Sequence, residues 1–214
     1  MKTDKLETNV IYCGDCLDVM KRWIPDESID LIYLDPPFFS QKQYEDFWVK
    51  DKATKTGFND KDWEKLKDSI DPTILAECEA IEERWKGGRK GIYVYIAYMK
   101  ERMIQCERVL KPTGSIYLHC DWHAGHYLKV MMDQIFGYDN FRAEIVWQRT
   151  SRTKSTANNF GRNSDSILYY AKSNQFTFNI VRQPLSSEQI ERYYGNVEPE
   201  TGRRFNHGGM LKAG

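Results

Sequence analysis

The 214-residue chain has no excess of either charge, Lys+Arg and Asp+Glu numbering 31 each. A zero balance excludes a global basic field that would draw the protein to nucleic acid, but not a local basic groove, so charge has to be read by segment. Long apolar runs are also lacking. None approaches the ~18 residues of a membrane span, and the opening "MKTDKLETNV" has no apolar core behind its charges, so it does not read as a signal peptide. Cysteine is sparse and odd in number, five in all, which fits reduced thiols in a cytoplasmic protein rather than a disulfide framework. Cys13 and Cys16 form one C-x-x-C, but no second pair follows at zinc-ribbon spacing. Of the four histidines, His119, His123 and His126 fall close together in "HCDWHAGH". Proximity is far weaker than the ligand geometry zinc demands, so no metal is expected there.

What is present is a distinctive turn. The stretch "IDLIYLDPPFFS" at 29–40 begins as a short apolar run, the pattern of a strand buried on both faces of a parallel sheet. Asp35 ends that run, at the carboxyl end of a strand, where open α/β sheets bind ligands. Pro36 and Pro37 then remove two backbone N–H groups and fix two φ angles, so the turn is stiff. A lone D-P-P reads equally well as a strand stop with aromatic residues packed inward. The surrounding chain has to decide.

That chain alternates. "NVIYC" at 9–13 reads as a strand, and Asp15 is placed to cap a helix carrying Leu17, Met20 and Ile24 on one face, ended by Pro25. Residues 39–59 are polar, dotted with aromatics, and read as a long loop, followed by a charged helical stretch over 60–86. Ile92, Ile96, Met99, Met103, Cys106 and Leu110 recur at helical spacing, Pro112 and Gly114 mark a turn, and "SIYLHC" at 115–120 is a third strand. A helix closed by Gly137 and a strand "FRAEIVWQ" follow. Strands alternating with helices predict an α/β domain with a parallel sheet over about 1–141.

From residue 149 the texture changes. "RTSRTKSTANNFGRNSD" holds Arg149, Arg152, Lys154 and Arg162 among Ser, Thr and Asn, with one acid, Asp165, at its end. Such a segment can meet phosphates and offer amides and hydroxyls to bases, although composition alone fits a solvated loop equally well. "SILYYA" and "FTFN" then read as strands of a small mixed region.

"GDCLDVMKRWIPDESIDLIYLDPPF" together with "RVLKPTGSIYLHCDWHAGHYLK" resembles the DNA amino-methyltransferases. The likeness is to the group with D-P-P-[YF] ahead of the glycine-rich cofactor motif, which includes modification subunits of type III restriction systems. It implies a Rossmann-like α/β methyltransferase fold, S-adenosyl-L-methionine as cofactor, and adenine N6 in double-stranded DNA as methyl acceptor. It also implies that 142–214 opens the target-recognition region, and that a homodimer or a restriction subunit is a possible partner. Asp35, Pro36, Pro37 and Phe38 would form the catalytic turn. Gly14, Asp15 and Cys16, with Asp35, would meet the cofactor, and Arg149, Arg152, Lys154 and Arg162 the DNA. A plain helix cap remains an equally good local reading of Asp15.

The chain departs from the family in two places. The F-x-G-x-G-like loop that cradles the methionine part of the cofactor matches no glycine cluster here, so the fold is expected to be incomplete, lacking the strand that carries this loop, and a C-terminal half is expected beyond it. Phe39 stands where many relatives have Asn. Two other readings stay open: cytosine-N4 methylation, against which Asp35 leans because those enzymes more often carry Ser there, and a truncated, non-catalytic DNA-binding remnant.

Overall fold

The computed structural model describes residues 6–39, 44–45, 55–56, 67–84, 91–150, 162–182 and 184–206. They divide into two compact units, one running to Thr177 and one from Phe178. In the first, α1 (Cys16–Trp23) leads to β1 (Ile29–Leu34), and a two-rung antiparallel pair, β2 (Tyr44–Glu45) and β3 (Lys55–Thr56), falls within the segment read as a loop. Then come α2 (Pro72–Arg84), α3 (Ile92–Val109), β4 (Leu110–Cys120), α4 (Gly125–Phe136), β5 (Phe141–Gln148) and β6 (Ser164–Ala171). Residues 60–66 of the expected charged helix lie outside the described residues. The second unit holds α5 (Ser187–Tyr193), capped by a reciprocal Ser186–Gln189 box, and a small antiparallel pair, β7 (Asn196–Val197) and β8 (Arg204–Phe205).

The main sheet has the order β1-β4-β6-β5. β1 and β4 are parallel, but β6 runs antiparallel to both β4 and β5. The strands expected to run parallel, β1, β4 and β5, do share one direction, and it is β6, expected in a small mixed region, that makes the sheet a mixed one. The crossover through α4 sets β5 down one position away from β4, and the chain turns back to fill the slot with β6. Residues 142–177 thus share a compact unit with the preceding chain.

The core is built around α3. Its periodic residues Ile92, Ile96, Met99, Met103 and Cys106 are all buried, and Tyr95 is buried beside Phe39, whose ring centroid lies 5.6 Å away. Two departures from the sequence reading concern strands. Residues 9–13 form none, and Ile11 is almost wholly exposed. An apolar segment becomes a strand only with an edge to pair against, and among the described residues no strand lies beside it. "FTFN" is likewise not a strand, although Thr177 N–H donates to the Thr113 carbonyl at 3.0 Å. By contrast, the Pro112–Gly114 segment, read as a turn, lies inside β4. The pairing slips there from Ile29↔Leu110 to Leu31↔Ser115, a bulge that absorbs the proline. Gly114 is needed at that slip, because a Cβ would sit 3.0 Å from the Lys111 carbonyl oxygen and 3.1 Å from that of Asp30.

Candidate active site

Strand register builds the site. β1 and β4 run parallel with Leu34 opposite Leu118, so the next residues, Asp35 and His119, emerge side by side at the carboxyl ends. Asp35 Oδ1 lies 3.1 Å from His119 Nδ1. The Phe38 ring meets the His119 ring edge-on, with centroids 5.0 Å apart and planes at 83°. Phe39, the residue that departs from the family pattern, turns the other way into the core, 1% exposed. The two aromatic residues that follow the stiff double proline thus have opposite fates.

Beneath the turn is a cavity of about 210 Å³. Asp35, Pro36 and Pro37 form one wall and Cys16 another, so the D-P-P and G-D-C turns, 19 positions apart, open on the same space. Met20, Met99, Met103 and Cys106 supply apolar lining. Burial, the main cause, pushes the Cys106 thiol up to about 12, so it is a neutral part of that lining rather than a nucleophile.

Asp15 does cap α1, its Oδ1 accepting the Leu17 N–H at 2.7 Å, while Oδ2 receives Arg102 Nη2 at 2.6 Å. Arg102 itself lines the cavity. Its guanidinium lies 3.3 Å above the Tyr98 ring and donates to the Tyr98 carbonyl at 3.0 Å. Gly14 precedes them with φ +149°, a conformation L side chains rarely adopt. The apolar floor, the Tyr98 ring and the anchored carboxylate suit a flat heterocycle with an amino group, as the adenine end of S-adenosyl-L-methionine is. Each Asp15 oxygen keeps a second lone pair after its present bond. Sequence reading missed Arg102. Its signal was a cation inside the apolar stripe of α3, three residues after Met99 and four before Cys106.

The basic segment is only partly within view. Arg152 and Lys154 lie outside the described residues. Arg149 Nη2 donates to the Arg162 carbonyl at 3.0 Å, its Nε lies 3.2 Å from Asp165 Oδ1, and the Arg162 guanidinium sits 3.7 Å over the Trp122 ring. Asp121 is buried and occupied by His123: it accepts the backbone N–H at 3.1 Å and faces Nδ1 at 2.6 Å. It lines a second cavity of about 230 Å³, with Trp122, His126, Lys129 and Glu144. Among the described residues no group of three or more His, Cys, Asp or Glu could hold a metal ion.

A family model described as DNA methylase, of the N6/N4 methyltransferases, matches residues 29–207. The chain belongs to this DNA methylase family. It is 29% identical over 197 residues to the type III restriction-modification enzyme StyLTI Mod subunit of Salmonella typhimurium, covering 89% of this chain and 28% of that protein. It is 28% identical over 200 residues to the type II methyltransferase M.HinfI of Haemophilus influenzae, covering 91% and 48%. The chain spans between about a quarter and a half of the length of these curated relatives. Among solved structures, PvuII DNA methyltransferase (cytosine-N4-specific) superposes with a TM-score of 0.46 at 15% identity over 77% of this chain and 49% of that one. A DNA modification methylase from Thermus thermophilus, solved with S-adenosyl-L-methionine, gives 0.42 at 15% identity over 84% and 59%. The methylase domain here is thus read from its own geometry and its family.

Proposed function

We propose that this DNA methylase transfers a methyl group from S-adenosyl-L-methionine to the N6 amine of an adenine turned out of duplex DNA. The observation that supports this most is the Asp35–Pro36 turn, held at the carboxyl end of β1 and opening on the cavity that Cys16 and Arg102 line. The cofactor supplies a methyl group activated on a sulfonium. The chain's task is to make a poor nucleophile face it. The exocyclic nitrogen shares its lone pair with the ring, so attack requires it to pyramidalise. Asp35 accepts one amine N–H and the Pro36 carbonyl, stiffened by the following Pro37, accepts the other. Together they orient the lone pair and stabilise the positive charge that grows on nitrogen. Phe38 offers a stacking face worth ~1–3 kcal/mol per base. A paired base cannot enter such a corner, so it must be extruded.

Arg102, by fixing Asp15 at the other turn, prepares the adenine end of the cofactor site. Arg152 and Lys154 of the basic segment supply phosphate contacts, and the likeness to a Mod subunit supports a restriction partner. The described residues hold no helix long and apolar enough to cross a membrane. The same corner would accept the N4 amine of cytosine, the other acceptor of the N6/N4 methyltransferases. Transfer of tritiated methyl to duplex DNA, with the chain alone and supplemented with the C-terminal part of a relative, tests the reading. Digestion to nucleosides should yield labelled N6-methyladenine. Label in N4-methylcytosine would change the acceptor, and DNA binding without any transfer would favour the non-catalytic remnant.

A further inference from the structure

We infer that His119 and Asp165 are positioning residues that hold the Asp35 carboxylate in the orientation transfer requires. The inference rests on the reading of Asp35 as the acceptor of the base's N–H. Asp35 needs such help: its side chain is 63% exposed, and a free carboxylate on a loop turns about two torsions. Among the described residues its only hydrogen-bonding or ionic partner is His119 Nδ1, at Oδ1. That contact occupies one oxygen and leaves Oδ2 for the amine.

His119 is in turn held on three sides. The Phe38 edge fixes the ring plane, strand β4 fixes the backbone, and Nε2 faces Asp165 Oδ2 at 3.5 Å. Asp165 is the more telling residue. It is 3% exposed on β6, a strand whose other inward residues are apolar or aromatic. A buried carboxylate is costly unless other groups compensate it. Its compensation is His119 on one oxygen and Arg149 Nε at 3.2 Å on the other. Neither His119 Nε2 nor Asp165 Oδ1 has an aligned hydrogen bond, although both atoms are buried. The set is close but slack, as site contacts often are before substrate draws them together. Four residues from four parts of the chain, Arg149, Asp165, His119 and Asp35, thus form one polar line into the site. It begins at the foot of the segment expected to meet DNA.

The test separates positioning from folding. His119→Asn keeps a donor where Nδ1 stood, whereas His119→Phe keeps the ring and the Phe38 contact without the donor. His119→Phe should lower kcat at least tenfold with KM for DNA within threefold, and His119→Asn should restore most of the loss. Asp165→Asn should lower kcat less than His119→Phe does. Unchanged kcat in His119→Phe overturns the inference, as does a His119→Asn no better than Phe. An independent arm needs no turnover: in the ¹⁵N-histidine-labelled chain, a His119 Nδ1–H resonance protected from exchange should be present and should vanish in Asp35→Ala. A missing resonance, or one that survives Asp35→Ala, overturns the inference whatever the activity. If the wild type methylates no DNA, the proposed function falls, and the resonance alone then decides whether His119 clamps Asp35.

Discussion

The two sides of the turn after β1 are built by different means. On one side lies a cavity lined largely by α1 and α3, mostly apolar, with the Asp15–Arg102 ion pair at the margin. On the other, a line of polar groups runs from Asp35 through β4 to β6. The first side is shaped by packing, which tolerates small changes of volume by adjustment. The second is shaped by polar contacts between single atoms at 3.1–3.5 Å, where the loss of one member leaves the next unheld. A methyltransferase needs both: a receptive apolar slot for a cofactor, and a rigid acceptor for an amine that must be turned.

The largest effect should come from the point where the sides meet. Asp35→Ala removes the acceptor that matters most as charge develops, so kcat should fall by about 10²–10³-fold or more, the range for losing one such contact. DNA affinity should change less than threefold. Near-normal kcat in this variant would remove Asp35 from the mechanism and dissolve the comparison.

The next largest tests the margin of the cavity, and it pits the two ends of one ion pair against each other. Asp15→Ala leaves Arg102 buried without its counter-ion, 7% of its side chain exposed, and strips the cap from α1. A buried charge left alone typically costs about 3–5 kcal/mol, and a lost cap about 1 kcal/mol. Arg102→Met is gentler, because Asp15 is 45% exposed and can be hydrated. It should cost about 1–2 kcal/mol in lost hydrogen bonds and stem packing. Thermal melts should therefore rank Asp15→Ala below Arg102→Met, while both weaken S-adenosyl-L-methionine binding in calorimetry. The reverse ranking would mean that Arg102 finds solvent or another partner.

These two tests also mark what was legible in the sequence. The cavity side was largely legible, because it follows from helical period: the buried positions of α3, the cap at Asp15 and the G-D-C and D-P-P turns all sit in short, local patterns. The polar line was not. His119 and Asp165 meet only because β6 inserts antiparallel beside β4, placing His119 against Ile167 and Cys120 against Ser166. Reading "SILYYA" as part of a separate small mixed region hid the pairing. The residues at 9–13 failed for the complementary reason: their apolar character promised a strand, but pairing needs a neighbour.

A smaller effect should separate phosphate contacts from internal ones. Each neutralised phosphate contributes roughly −0.9 to the slope of log affinity against log salt. Arg149 already holds Asp165 and the Arg162 carbonyl. Arg149→Ala should therefore lower kcat through Asp165 and leave the salt slope nearly unchanged. The Arg152→Ala, Lys154→Ala pair should flatten the slope while sparing kcat. If Arg149→Ala flattens the slope as well, its guanidinium leaves Asp165 for DNA, and the polar line is not fixed at its far end.

The smallest effect compares one thiol from each side. Burial raises both Cys106 and Cys120 from the ordinary 9.0 to about 12. For Cys120 the nearby Asp121, Glu144 and Asp165 carboxylates push in the same direction, whereas for Cys106 Arg102 pulls the other way. The sign follows from linkage. Below pH 9 both thiols are neutral folded and unfolded, and pH does not touch stability through them. Between pH 9 and about 12 only the unfolded chain ionises, so each thiol removes up to ~1.4 kcal/mol of stability per pH unit. Half a unit above pH 9 the loss has reached about 0.8 kcal/mol per thiol. Cys106→Ala and Cys120→Ala, each melted at pH 8 and pH 10, should lose less stability across that interval than the wild type. Raising the salt should shrink the Cys120 contribution more than that of Cys106, since the charges around Cys120 all push its thiol up whereas at Cys106 the raising influence of Cys16 and the lowering one of Arg102 oppose each other. Equal salt sensitivity would mean that the carboxylates near Cys120 do not reach its sulfur, and that apolar burial governs both sides alike.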